Sequence, residues 1–167
     1  GTFRDISFIS GVAASEDGKY EAGMGVDSAD VDGDGWFDFY ITHLDFKLNR
    51  LYRNNHDGTF TRIDEPSLQG FLTGNHWWFS WVDYDNDGNL DLFSANWNGG
   101  LNVLIHNNGN GTFSDVSQKA GVAGEGVRWG SGAAFFDYNR DGRLDLFVAN
   151  YLELDTARTP LPGANPN

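Results

Sequence analysis

Three loops of one design recur along the chain: D-V-D-G-D-G-W-F-D from Asp30, D-Y-D-N-D-G-N-L-D from Asp83 and D-Y-N-R-D-G-R-L-D from Asp137. Self-similarity at a period of about fifty residues constrains the fold more than any composition, because one such unit cannot bury its own apolar face and must stack on its neighbours. Smaller landmarks keep the same beat. G-T-F begins at Gly1, Gly58 and Gly111; N-N-H-D at Asn54 and N-N-G-N at Asn107 precede the second and third of these. S-G-V-A at Ser10 and A-G-V-A at Ala120 follow the first and third. The chain therefore reads as one repeat domain over 1–167, with units at about 1–57, 58–110 and 111–158 and a Pro-rich tail or connection at 159–167.

Each Asp-rich loop is followed by a short run of β-formers, at 37–42, 90–95 and 144–149, too short for a helix and suited to a buried strand. Apolar stretches such as 77–82 and 133–136 precede the loops, so each loop joins two strands. The run 101–106 turns through Asn and Gly residues at 107–111 into 112–116, the pattern of a hairpin. Four strands in a unit of this length predict an all-β fold, a β-propeller segment of three four-stranded blades. The third blade is incomplete, since nothing after Tyr151 matches L-Y-R-N-N at 51–55. The segment 3–8 is expected to be an outer strand awaiting a partner.

In D-x-D-x-D-G-x-x-D, carboxylates at positions 1, 3, 5 and 9 and the carbonyl at position 7 converge on one cation, and the glycine at position 6 allows the tight turn. This many hard oxygens suits Ca²⁺, which takes about 6–8 of them, better than Mg²⁺ with its strict octahedron. The first set is Asp30, Asp32, Asp34, the Trp36 carbonyl and Asp38. The second is Asp83, Asp85, Asp87, the Asn89 carbonyl and Asp91. The third is Asp137, Asn139, Asp141, the Arg143 carbonyl and Asp145. Three Ca²⁺ sites are expected, the third weakest because Asn139 replaces an anion. An EF-hand is excluded, because its twelfth position needs Glu and the residues here are Ile41, Ser94 and Val148.

The loops and their flanking strands resemble the FG-GAP and VCBS repeats of integrin-alpha-like propellers. G-M-G-V-D-S-A-D before the first loop, and L-D-L-F-V-A-N-Y-L with T-P-L-P-G-A-N-P at the end, are similar to the ASPIC/UnbV, cartilage-acidic-protein-like branch. The resemblance implies a secreted or cell-surface, calcium-bound propeller used for adhesion, ligand binding or assembly scaffolding. Three blades do not close a propeller ring, which takes about four to eight, so further blades from a longer chain or from other copies are expected as partners, besides a protein or glycan ligand.

Composition narrows the remaining classes. With 24 acidic against 11 basic residues the formal charge is −13, which repels phosphate backbones and disfavours nucleic acid. The absence of cysteine removes thiolate and disulfide chemistry, and no apolar run approaches the ~20 residues of a membrane helix, so membrane insertion is not expected. His76, Trp77, Trp78, Trp97 and Trp129, with Trp81, are candidates for stacking on sugar rings; packing between blades is the competing reading. His43 takes the place of Asn96 and Asn150 in the other units, which marks a structural polar position, and His56 and His106 fall in or beside hairpin turns. Acids outside the loops form no catalytic pair, so no enzyme is expected; the alternative is the propeller portion of a larger polysaccharide-active enzyme or a carbohydrate-binding module. Asn110-Gly-Thr is a glycosylation sequon at a hairpin tip.

Overall fold

The computed structural model of the chain describes residues 1–14, 18–20, 23–43, 48–68, 76–96, 100–124 and 128–153. Among them, ten strands form three antiparallel sheets. The first orders β1 (Gly23–Ala29), β2 (Asp38–His43), β3 (Arg50–Asn54) and β4 (Phe60–Arg62) in sequence. The second repeats that order with β5 (His76–Val82), β6 (Asp91–Asn96), β7 (Val103–Asn107) and β8 (Phe113–Asp115). The third holds β9 (Arg128–Phe136) and β10 (Asp145–Glu153). The fold is all-β, a partial propeller whose third blade has two strands among the described residues.

The registers repeat as the sequence does. Ala29 pairs with Asp38, Val82 with Asp91 and Phe136 with Asp145, so each Asp-rich loop spans the same link between two neighbouring strands. At the far end Gly23 pairs with His43, His76 with Asn96 and Gly130 with Asn150, each beside an irregularity in the ladder. His43, Asn96 and Asn150 are thus equivalent, and the His43 and Asn96 amides both donate to an asparagine side chain six residues on, Asn49 and Asn102. The strands β4 and β8, which start within or just after G-T-F, pair with the strand before them, so each sheet closes across a boundary of the sequence repeat.

Sheets stack through one aromatic side chain, two residues beyond the last Asp of each loop. Tyr40 meets the edges of Phe79 and Trp81 on β5, with ring centroids 4.6 and 6.3 Å apart. Phe93 meets Phe135 on β9 at 5.4 Å and 83°. Both knobs are almost wholly enclosed, and each contributes roughly 1.5–3 kcal/mol by burial with up to about 1.5 kcal/mol more from edge-to-face geometry. Phe147 is the third of the series and is 63% exposed. On the opposite end Val26, the counterpart of Phe79, is exposed as well.

The segment expected as a strand at 3–8 is instead irregular and then helical, with α1 at Ser7–Ser10. The Asp5 carboxylate accepts hydrogen bonds from the Ser7 amide and hydroxyl at 2.9 and 2.7 Å, and the Ser10 amide bonds back to the Ile6 carbonyl. Asp115 and Ser117 build the same turn, with Ala120 bonding back to Val116. Such side-chain bonds give the backbone an alternative to a ladder. Only the 3₁₀ turn Pro66–Leu68 adds further helix among the described residues.

Candidate metal centres

The loops take their shape from their first carboxylate. Asp30 accepts from the amides of Asp34 and Gly35 at 3.0 and 2.9 Å, Asp83 from Asp87 and Gly88 at 3.0 and 3.1 Å, and Asp137 from Asp141 and Gly142 at 3.0 and 2.8 Å. Position 6 is left-handed each time, with φ of 89°, 91° and 84° at Gly35, Gly88 and Gly142, which is why glycine stands there. The fifth carboxylate then caps the turn: Asp34, Asp87 and Asp141 accept from Trp36, Asn89 and Arg143 at 2.8, 2.8 and 2.9 Å.

The ninth carboxylate comes from the first residue of the following strand. Asp38 accepts from the Val31 and Asn54 amides at 3.0 and 2.9 Å, and Asp91 from Tyr84 and Asn107 at 3.1 and 2.8 Å. Asp145 accepts from Tyr138 at 3.1 Å. Burial pushes the Asp38 and Asp91 carboxyls above their ordinary range, against the pull of those amides. A buried carboxylate that gains proton affinity in this way is a group that a neighbouring cation stabilises in its charged form.

Oxygens of Asp30, Asp32 and Asp38 lie within 4.8 Å of one another, and so do those of Asp83, Asp85 and Asp91. Two ligands on one Ca²⁺ at 2.3–2.6 Å stand at most about 5 Å apart, so both donor sets fit that ion. In the third loop Asn139 occupies position 3, its amide bonded to the Asp141 carboxylate at 3.2 Å and its oxygen accepting the Asp141 amide at 3.0 Å. That loop keeps the backbone shape of the other two with one carboxylate fewer.

Two histidines read from sequence as hairpin residues reach these loops. His56 Nε2 lies 2.5 Å from Asp34 Oδ2, and its ring stacks on Trp36 at 5.1 Å and 16°. The Trp36 amide and then the His56 contact hold the Asp34 carboxyl below its usual range. His106 Nδ1 is 3.0 Å from Asp91 and 3.5 Å from Asp85, and Nε2 is 3.9 Å from Asp87. Periodicity hides both, because His56 aligns with Gly109 and His106 with Arg53. Asn54 and Asn107 are further residues whose place in the site was missed; their only signal is the repeated N-N.

The sugar-stacking candidates fare differently. His76 is fully enclosed and offers no ring face, and burial lowers its pKa to about 4. Trp78 packs edge-on to Phe93 with its neighbours in the core between the second and third sheets, and Trp81 packs on Tyr40 between the first and second. Packing claims these rings. Trp129 is half-buried. The Trp77 side chain and Trp97 lie outside the described residues. Asn110 is exposed at its turn, its side-chain oxygen accepting from the Thr112 amide and hydroxyl at 3.0 and 2.7 Å.

Comparison with known proteins agrees with this architecture. Residues 30–94 and 83–148 each match the model of the FG-GAP-like repeat. Cartilage acidic protein 1 of Mus musculus is 46% identical over 61 residues, 36% of this chain and 9% of that protein. The Homo sapiens protein of that name is 44% identical over 61 residues, again 36% and 9%, and the Xenopus tropicalis protein 39% over 66 residues, 40% and 10%. The matched segment is thus about a tenth of each relative's length. No helix among the described residues is long and apolar enough to cross a membrane. With two matches that together run from the first loop to the strand after the third, the chain belongs to the FG-GAP-like repeat family.

Proposed function

We propose that this repeat module binds calcium and serves outside the cell in adhesion, ligand binding or assembly, as a binding element and not a catalyst. The observation that carries the reading is the convergence of three carboxylates in each of the first two loops, one of them buried with its proton affinity raised. Asp30, Asp32, Asp34 and Asp38 hold the first ion with the Trp36 carbonyl, and Asp83, Asp85, Asp87 and Asp91 the second with the Asn89 carbonyl. Asp137, Asn139, Asp141 and Asp145 with the Arg143 carbonyl hold the third, most weakly. Bound calcium supplies charge neutralisation and cross-links each loop to the strand after it. Further blades cover the Phe147 and Val26 faces, as the second sheet covers Tyr40 and the third covers Phe93. An exposed Asn110 is consistent with glycan attachment.

Isothermal titration of the 167-residue chain with Ca²⁺ tests this. Three sites are expected, the weakest lost in Asp137→Asn. Ion at ~100 times its dissociation constant adds about 2.7 kcal/mol per site, so chelation should lower the melting temperature clearly. No binding heat and no shift with chelator would sink the reading.

A further inference from the structure

A line of buried hydrogen bonds crosses from the first metal loop to the second. The Val31 amide donates to Asp38 at 3.0 Å. The Val31 carbonyl accepts from the Asn107 side-chain amide at 2.8 Å, between residues 76 apart in sequence. The Asn107 backbone amide donates in turn to Asp91 at 2.8 Å. Asp38, Val31, Asn107 and Asp91 are 3%, 8%, 3% and 0% exposed, so the line runs through the interior. The same Asn107 nitrogen also lies 3.3 Å from the Leu90 carbonyl, at the end of its own loop.

The repeat supplies an internal control. Asn54 stands where Asn107 stands, one unit earlier. Its amide donates to Asp38 at 2.9 Å and its side chain to the Phe37 carbonyl at 3.0 Å, both within its own blade. What Asn107 has beyond this is the reach to Val31 in the neighbouring blade.

We propose that Asn107 couples the first two loops, so that an ion in either raises the affinity of the other. The inference rests on the calcium reading above. Val31 sits between the ligands Asp30 and Asp32, and its amide holds a third ligand, Asp38. Fixing its carbonyl fixes the peptide that leads to Asp32. Asn107, at the other end of the bond, holds Asp91 through its own amide. Ordering either loop therefore removes part of the conformational freedom the other must lose on binding, which is positive cooperativity without a change of fold.

The test is calorimetry with Ca²⁺ on the 167-residue chain, with the third loop silenced by Asp137→Asn throughout. Silencing the first loop by Asp30→Asn, the position used in the third, should weaken the second about fivefold or more, within the usual range of coupling. Silencing the second by Asp83→Asn should weaken the first by the same factor, since coupling is reciprocal. In Asn107→Ala that factor falls to one, and in Asn54→Ala it persists. Asn107→Asp, which keeps the shape but loses the donor, serves if the alanine variant does not fold. Each outcome has a separate meaning. Absence of calcium from both loops overturns the calcium reading, and the coupling with it. Two occupied loops with independent affinities overturn the coupling alone. A coupling that survives loss of the Asn107 donor overturns the role given to Asn107.

Discussion

The second and third sheets carry the same aromatic knob with opposite surroundings. Phe93 is enclosed by Phe135 and its neighbours, while Phe147, at the same place in the repeat, stands 63% exposed. The strands that hold them are alike, and so are the loops that precede them. Burial in such a fold belongs to the interface between units and not to the unit itself, as expected when stability is a sum of repeat and nearest-neighbour terms. Tyr40 confirms the direction, since each knob enters the sheet that follows it in the chain.

The largest expected difference is between truncations of the two knobs. Phe93→Ala should cost about 3–5 kcal/mol in urea denaturation, and Phe147→Ala under about 0.5 kcal/mol. Equal losses would show that the Phe147 face is covered in solution, and the contrast between the two sheets would disappear. Next comes the paired position at the far end, where the second sheet has buried His76 and the third has Gly130. The folded pKa of His76, about 4, lies below the ordinary 6.5, so between these values the unfolded chain binds more protons. Stability is therefore full above about pH 6.5 and falls as pH drops toward 4, by roughly 3 kcal/mol. Thermal melts of His76→Gln across that range should lose this component of the slope; an unchanged slope would assign it to other groups. The smallest effect is steric. A Cβ on Gly130 would lie 2.8 Å from Ala95 Cβ and 3.0 Å from the Asn96 carbonyl, so Gly130→Ala should wedge the second and third sheets apart at about 1–3 kcal/mol. Gly23, its counterpart on the first sheet, has among the described residues only Ile41 Cγ2 at 3.7 Å, and Gly23→Ala should change the melting temperature little.

The Asp-rich loops and the strands beside them were legible in the sequence because both are local: a carboxylate that caps an amide four residues on needs only its own loop. The four strands of a unit followed from the repeat for the same reason. What the sequence hid depends on contacts between elements. His56 and His106 reach the loops because β3 and β7 run antiparallel to β2 and β6, and neither histidine recurs in the other unit. The bond from Asn107 to Val31 belongs to two stacked sheets, and no pattern within one unit announces it. The early segment misled in the opposite way. Phe3 sits in a G-T-F that elsewhere begins a strand, but among the described residues no preceding strand offers it a ladder, and Asp5 and Ser7 turn the chain instead.

The backbone bonds accepted by Asp30, Asp83 and Asp137 have a consequence in time. A loop whose backbone turn is already closed by its own first carboxylate has only its remaining ligands left to order when an ion arrives, and an acidic rim draws cations toward it. On the calcium reading, arrival is then set by diffusion and is much the same for all three loops, and differences in affinity reside in escape. On that reading the first two loops would hold their ions longest, and the third, with Asn139 where the others have Asp32 and Asp85, would be the first to empty when free calcium falls.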